Sequence, residues 1–172
     1  MTYCVALRLD QGLLFMSDTR TNAGVDNIST FRKMFNWSVE GDRVITILTA
    51  GNLATTQAVV SLLNERSVIP ADRKQTLLAA PTMFQVARLV GDTLKEVIHS
   101  QAEEGQTAES TFGATMIVGG QIRGMEPRLF LVYPEGNFIE ASDETPFFQA
   151  GETKYGRPII LRAFDPVMSF ED

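Results

Sequence analysis

Thr2 is the residue of this chain whose type and place best suit nucleophilic chemistry. A threonine hydroxyl does not ionise at neutral pH without a partner base. Its small side chain permits removal of Met1, and the freed α-amine, which titrates at about 7.7–8.0 in simple peptides, would then serve as that base. A β-branched residue opening a strand is the other reading of the same position. Asp18 and Lys33 form a second constellation. Lys33 stands in the apolar context Thr30-Phe31-Arg32-Lys33-Met34-Phe35. A lysine facing a core there needs a counter-charge, because an ammonium buried alone costs several kcal/mol. Asp18 supplies one, and a cation so held favours ionisation of a nearby hydroxyl. Strand period two sends Arg32 and Lys33 to opposite faces, so the alternative leaves Lys33 in water. Gly51 is third. In Thr49-Ala50-Gly51-Asn52 a strand feeds a helix, and the main-chain N–H groups left free there can bind an anion or the oxyanion of acyl transfer. Such junctions also occur for architectural reasons alone.

These residues need elements to bring them together. Thr2–Leu9 alternates Tyr3, Val5, Leu7 and Leu9 with Thr2, Cys4, Ala6 and Arg8, the period of a half-buried strand. Asp10-Gln11-Gly12 is a turn, and Leu13–Ser17 completes a hairpin that returns Asp18 to the level of the chain start. A hydroxyl-rich loop, Asp18–Gly24, follows. Ile28–Phe35 and Val44–Ala50 read as the next strands. Asn52 is an N-cap for a helix to about Glu65. Met83, Val86, Ala87, Val90, Leu94, Val97 and Ile98 make one face of a second helix. After a polar loop over Ala102–Ser110, strands resume at Phe112–Val118, Arg128–Tyr133, Gly136–Ala141 and Phe147–Ala150. Gly119-Gly120 and Pro134-Glu135-Gly136 supply turns. A short helix starts near Tyr155 and runs toward Phe164. Strands, then helices, then strands indicate an α+β fold with antiparallel sheet, in a single domain over 1–172.

Composition narrows the chemistry. The 172 residues are 44% hydrophobic and carry a net charge of −6, which disfavours nucleic acid and anionic lipid as partners. One cysteine, Cys4, excludes an intrachain disulfide and fits a reducing compartment, so the expected location is the cytoplasm. One histidine, His99, leaves too few ligands for most zinc sites and suits the C-terminal end of its helix as a solvated residue. No apolar run approaches the ~20 residues of a membrane span.

Taken together, Thr2, the Asp18-Thr19-Arg20-Thr21-Asn22-Ala23-Gly24 loop, Lys33 and the Thr49–Asn52 junction resemble the proteasome β-subunit group of N-terminal nucleophile hydrolases. The opening Met1-Thr2-Tyr3-Cys4-Val5-Ala6, with Thr21-Asn22-Ala23-Gly24-Val25-Asp26, is similar to the bacterial ancestral β-subunits (Anbu). The resemblance implies a four-layer αββα sandwich, self-assembly into a ring or helical oligomer, and hydrolysis of peptide bonds without cofactor or metal. On it, Thr2 is the nucleophile with its amine as base, Lys33 tunes the hydroxyl, Asp18 holds the lysine, and the Gly51 N–H stabilises the oxyanion. Thr21, Asn22 and Ala23 would bind a polypeptide substrate as an added strand. The family's serine-rich turn beside the nucleophile corresponds here to Gly151-Glu152-Thr153, where Thr153 offers the hydroxyl. Family chains continue with further strands and a helix, so a chain cut short after Asp172 is implied. A threonine endopeptidase in a homo-oligomer is the leading expectation. A β-subunit-like scaffold with little activity and a hydrolase of small amides are the alternatives, and an ATPase partner is left open.

Overall fold

The computed structural model describes residues 2–22, 28–68, 76–101 and 112–171. Strand β1 (Tyr3–Leu9) turns through Asp10 and Gln11 into β2 (Gly12–Ser17), the hairpin expected from the sequence. The other edge of β1 pairs antiparallel with β10 (Phe147–Gly151), giving a three-stranded sheet in the order β10-β1-β2. A second sheet is an antiparallel meander of β5 (Met34–Val39), β6 (Arg43–Gly51), β7 (Ala114–Ile122), β8 (Arg128–Val132) and β9 (Phe138–Glu140). Between them in sequence lies a small ribbon of β3 (Arg20–Asn22) and β4 (Ile28–Thr30).

The two larger sheets face each other. Cys4, Ala6, Phe148 and Ala150 of one pack on Leu48, Ala50, Ile117 and Leu129 of the other. Helices α1 (Leu53–Val68) and α2 (Met83–Gln101) cover the opposite face of the five-stranded sheet. All seven residues of the expected α2 stripe are buried there, against a sheet face that includes Ile45, Ile47, Met116, Val118 and Phe130. The short helix α3 (Gly156–Ala163) lies outside the three-stranded sheet, with Gly156 against the Tyr3 ring and Phe164 5.7 Å from Phe147 between ring centroids. The result is a four-layer αββα sandwich of the α+β class. Among the described residues no helix is long and apolar enough to cross a membrane.

Three local expectations are corrected. Ile28–Phe35 is not one strand: β4 pairs with β3 while β5 pairs with β6, so Phe31-Arg32-Lys33 must cross from one sheet to the other. The phase of β1 also differs. The small residues Cys4 and Ala6 form its inter-sheet face, yet Val5 and Leu9 are buried too. β1 is flanked by two strands inside a layered fold, so both its faces are covered and alternation no longer separates core from solvent. Gly119-Gly120 is not a turn but lies inside β7, opposite Thr46 and Ile45. The reversal comes at Arg123–Met125, where the Met125 N–H donates to the Ile122 carbonyl at 2.9 Å.

Gly119 is required by the closeness of the sheets. A Cβ there would lie 2.7 Å from Phe15 Cζ and 2.9 Å from Leu129 Cδ1, both in the inter-sheet core. Gly119→Val is therefore expected to destabilise the fold by about 1–3 kcal/mol through overpacking. A urea unfolding midpoint unchanged from the parent would refute this account of the sheet spacing.

Candidate active site

The β1–β2 hairpin sets the first contact. Its register pairs Cys4 with Ser17, which brings Asp18 opposite Tyr3. The Asp18 N–H donates to the Tyr3 carbonyl at 3.1 Å, and the Tyr3 N–H donates to Asp18 Oδ1 at 2.8 Å. Tyr3 is thereby held on both sides by one residue. Just beyond, the Arg20 N–H donates to Asp18 Oδ2 at 3.0 Å, a local turn of the kind aspartate favours.

Lys33 arrives from the crossing segment between β4 and β5. Its Nζ donates to Asp18 Oδ1 and Oδ2 at 2.9 and 3.0 Å and to the Arg20 carbonyl. The lysine is 4% exposed, so of the two faces available it takes the inward one, and Arg32 is exposed. Burial pushes the Asp18 carboxyl upward. The Lys33 ammonium and the Tyr3 and Arg20 N–H groups outweigh that and hold it below the usual aspartate range.

The lysine main chain is fixed separately. Its carbonyl accepts the Thr49 N–H at 2.9 Å and the Thr49 hydroxyl at 3.4 Å. The Thr49 carbonyl in turn accepts the Cys4 thiol at 3.5 Å, which ties β1 to β6 across the sandwich. Burial pushes the Cys4 thiol up to about 12, against the opposing pull of Lys33. Cys4 thus stays neutral, and Asp18 is the anion that balances the lysine.

Gly51 ends β6 two residues after Thr49, with φ +112°, a region that side-chain-bearing residues rarely adopt. A Cβ there would lie 2.6 Å from the Gly113 carbonyl oxygen. Asn52 then caps α1 as expected, its Oδ1 accepting the Thr55 N–H at 3.1 Å. Thr2 lies one residue before Tyr3, and its carbonyl accepts the Glu152 N–H at 2.6 Å where β10 ends.

The other expected residues are more scattered. Thr21 and Asn22 lie in β3, opposite Ser29 and Ile28, and β3 has no second neighbouring strand among the described residues. Ala23 and the Ala102–Ser110 loop lie outside the described residues. The Thr153 carbonyl accepts the Arg157 N–H at 3.0 Å at the start of α3, and Thr153 lines a cavity of about 490 Å³ with Gln149, Arg157 and Leu161. His99 is exposed near the end of α2. Sequence reasoning missed Tyr3, Arg20 and Glu152. All three act through main-chain groups, which leave no side-chain signature. Thr49 stood inside the quoted junction, and its hydroxyl was the available signal.

The Asp18 environment carries a pH dependence of definite sign. Its folded-state carboxyl titrates below the unfolded value of about 3.9, so its stabilising contribution is complete above that pH and is lost as pH falls through the lower folded value. Asp18→Asn is expected to flatten the acid limb of stability below about pH 4. At neutral pH it should cost about 1–3 kcal/mol, less than for a fully buried pair because a third of the Asp18 side chain meets water. Urea midpoints between pH 3 and pH 7 measure both effects, and parallel curves for parent and variant would contradict the assignment.

Anbu (ancestral beta-subunit) from Yersinia bercovieri is 47% identical with a TM-score of 0.89, over 98% of this chain and 69% of that one. An Anbu (Gly-1) mutant from Hyphomicrobium sp. strain MC1 is 51% identical with a TM-score of 0.89, over 99% of this chain and 69% of that one. The Anbu complex from Pseudomonas aeruginosa, which forms a helical assembly, is 43% identical with a TM-score of 0.89, over 98% of this chain and 68% of that one. No protein-family model and no curated protein matches the chain. With 43% identity or more over at least 98% of its length, the chain belongs to the Anbu family of ancestral β-subunits.

Proposed function

We propose that this chain is a proteasome-type threonine peptidase that cleaves peptide bonds with Thr2 after removal of Met1, residues 1–172 belonging to one proteasome-type domain. One observation carries the reading. A single carboxylate, Asp18, accepts both the N–H of the residue that follows Thr2 and the ammonium of a buried lysine. A cation bound by the same group that holds the strand start would favour the ionised hydroxyl electrostatically, which supports this reading.

The chemistry then proceeds by covalent catalysis. The α-amine of Thr2 takes the proton of its hydroxyl as Oγ attacks the scissile carbonyl, and the Lys33 charge stabilises the developing negative oxygen. The Gly51 N–H donates to the oxyanion of the tetrahedral intermediate. The protonated amine gives its proton to the leaving amine, and water, activated by the same amine, releases the acyl group. The edge of β3 that has no neighbouring strand among the described residues accepts the substrate main chain at Thr21 and Asn22, with Thr153 as a further hydroxyl near the end of β10. Self-association is part of the proposal and is supported by the helical assembly of the Pseudomonas aeruginosa relative.

The test is intact mass spectrometry of chain produced in a bacterial host, before and after treatment with a peptide vinyl sulfone, whose alkene accepts the Thr2 oxygen and retains every atom. Loss of Met1 and one adduct on Thr2 are expected. Thr2→Ala should take no adduct and stay within about 0.5 kcal/mol of parental stability, as a substitution at a strand start does. Retained methionine throughout would leave a scaffold, and turnover of simple amides without turnover of peptides would leave a small-amide hydrolase.

Lys33→Met removes the cation and keeps most of the side-chain volume. It is expected to lower kcat by about 10²-fold or more, as loss of one preorganised electrostatic group does. The parental rate should rise with an apparent pKa of about 7–8, the signature of an α-amine base. A profile flat between pH 6 and pH 9 would exclude that base.

A further inference from the structure

We propose that Gly151 is a positioning residue for the nucleophile. Having no side chain, it lets the end of β10 close on Thr2, so that the peptide unit joining Thr2 to Tyr3 is bonded at both poles. The carbonyl of that unit accepts the Glu152 N–H at 2.6 Å, and its N–H donates to Asp18 Oδ1 at 2.8 Å. A peptide unit is planar, so fixing both poles fixes its orientation and with it the direction of the Thr2 Cα.

This matters because of where Thr2 stands. Once Met1 is gone, Thr2 has no preceding peptide unit to restrain it, and chain termini fray unless tied down. The clamp supplies the restraint from the C-terminal side alone. It leaves the amine and hydroxyl free while holding the atom that bears them. Displacing a reacting group by ~1 Å can cost ~10²-fold in rate.

Gly151 makes the clamp possible for two reasons. It pairs with Tyr3 at the last step of the β10–β1 register, and its φ of +89° turns the chain so that the next N–H meets the Thr2 carbonyl. A Cβ at this position would lie 2.7 Å from the Thr2 carbonyl carbon and 3.2 Å from Thr2 Cβ. The first of these is backbone and cannot rotate away. Any side chain therefore pushes β10 and Thr2 apart.

The inference rests on the peptidase reading, and its test separates the two. Gly151→Ala is compared with Gly124→Ala, where φ is +78° and a Cβ meets nothing within 4 Å. Both variants carry the backbone strain of alanine at positive φ, but only one breaks the clamp. With the peptide vinyl sulfone, Gly151→Ala is expected to form adduct at least tenfold more slowly at unchanged non-covalent affinity, while Gly124→Ala reacts like the parent. Hydrogen exchange at the Glu152 amide should accelerate in Gly151→Ala alone. Equal adduct rates in the two variants, or a Glu152 amide still protected in Gly151→Ala, overturn the proposal. If the parent takes no adduct, the peptidase reading falls while the Glu152 exchange still decides the clamp. Should Gly151→Ala fail to fold, Glu152→Pro removes the N–H donor directly and is read by the rate-against-affinity split.

Discussion

A buried ammonium must be balanced, and the arrangement around it follows from how Asp18 does so. Its carboxylate accepts the Lys33 Nζ, the Tyr3 N–H and the Arg20 N–H. Each bond fixes a different segment: the chain start, the loop leading to β3, and the crossing between β4 and β5. An ionised carboxylate has lone pairs enough for several donors, and charged partners make the bonds short and strong. The Asp18 carboxylate and the Arg20 carbonyl both offset the energy of removing Lys33 from water.

The sandwich supports that point by bringing strand ends together. β1 begins, β2 ends and β10 ends at the same edge of the smaller sheet, as the pairs Tyr3 with Gly151 and Cys4 with Ser17 require. β6 ends and β7 begins together in the larger sheet, at Gly51 and Ala114. The Cys4 thiol bond to the Thr49 carbonyl joins the two edges. Small residues on the inner faces, Cys4, Ala6, Ala50, Gly119 and Ala150, let the sheets approach closely enough for that link. Packing of the core and placement of the polar groups are thus one problem, because the register that buries Phe148 also delivers Glu152 to the Thr2 carbonyl.

The charge pattern keeps the roles of the buried groups distinct. Cys4 lies on the inter-sheet face of β1 and feels both Lys33 and Asp18, yet burial keeps its thiol protonated. A thiolate there would compete for the lysine and weaken its hold on Asp18. The neutral thiol instead acts as a weak donor, and the Asp18 carboxylate keeps its ion pair with the lysine.

Much of this was legible in the residues. The hairpin, the α2 stripe, the Asn52 cap and the Asp18–Lys33 pair are local or periodic features, set by spacing and by the need to balance charge. Other features belong to the tertiary structure alone. That Ile28–Phe35 breaks at Lys33, that β1 is covered on both faces, and that Gly119-Gly120 runs straight through β7 all depend on which sheet a strand joins and how near the next one lies. Main-chain bonds from Tyr3, Arg20 and Glu152 were equally hidden, since every residue carries the same N–H. Sequence specifies side chains and their periodicity, whereas the meeting of distant backbone groups is decided only when the layers pack.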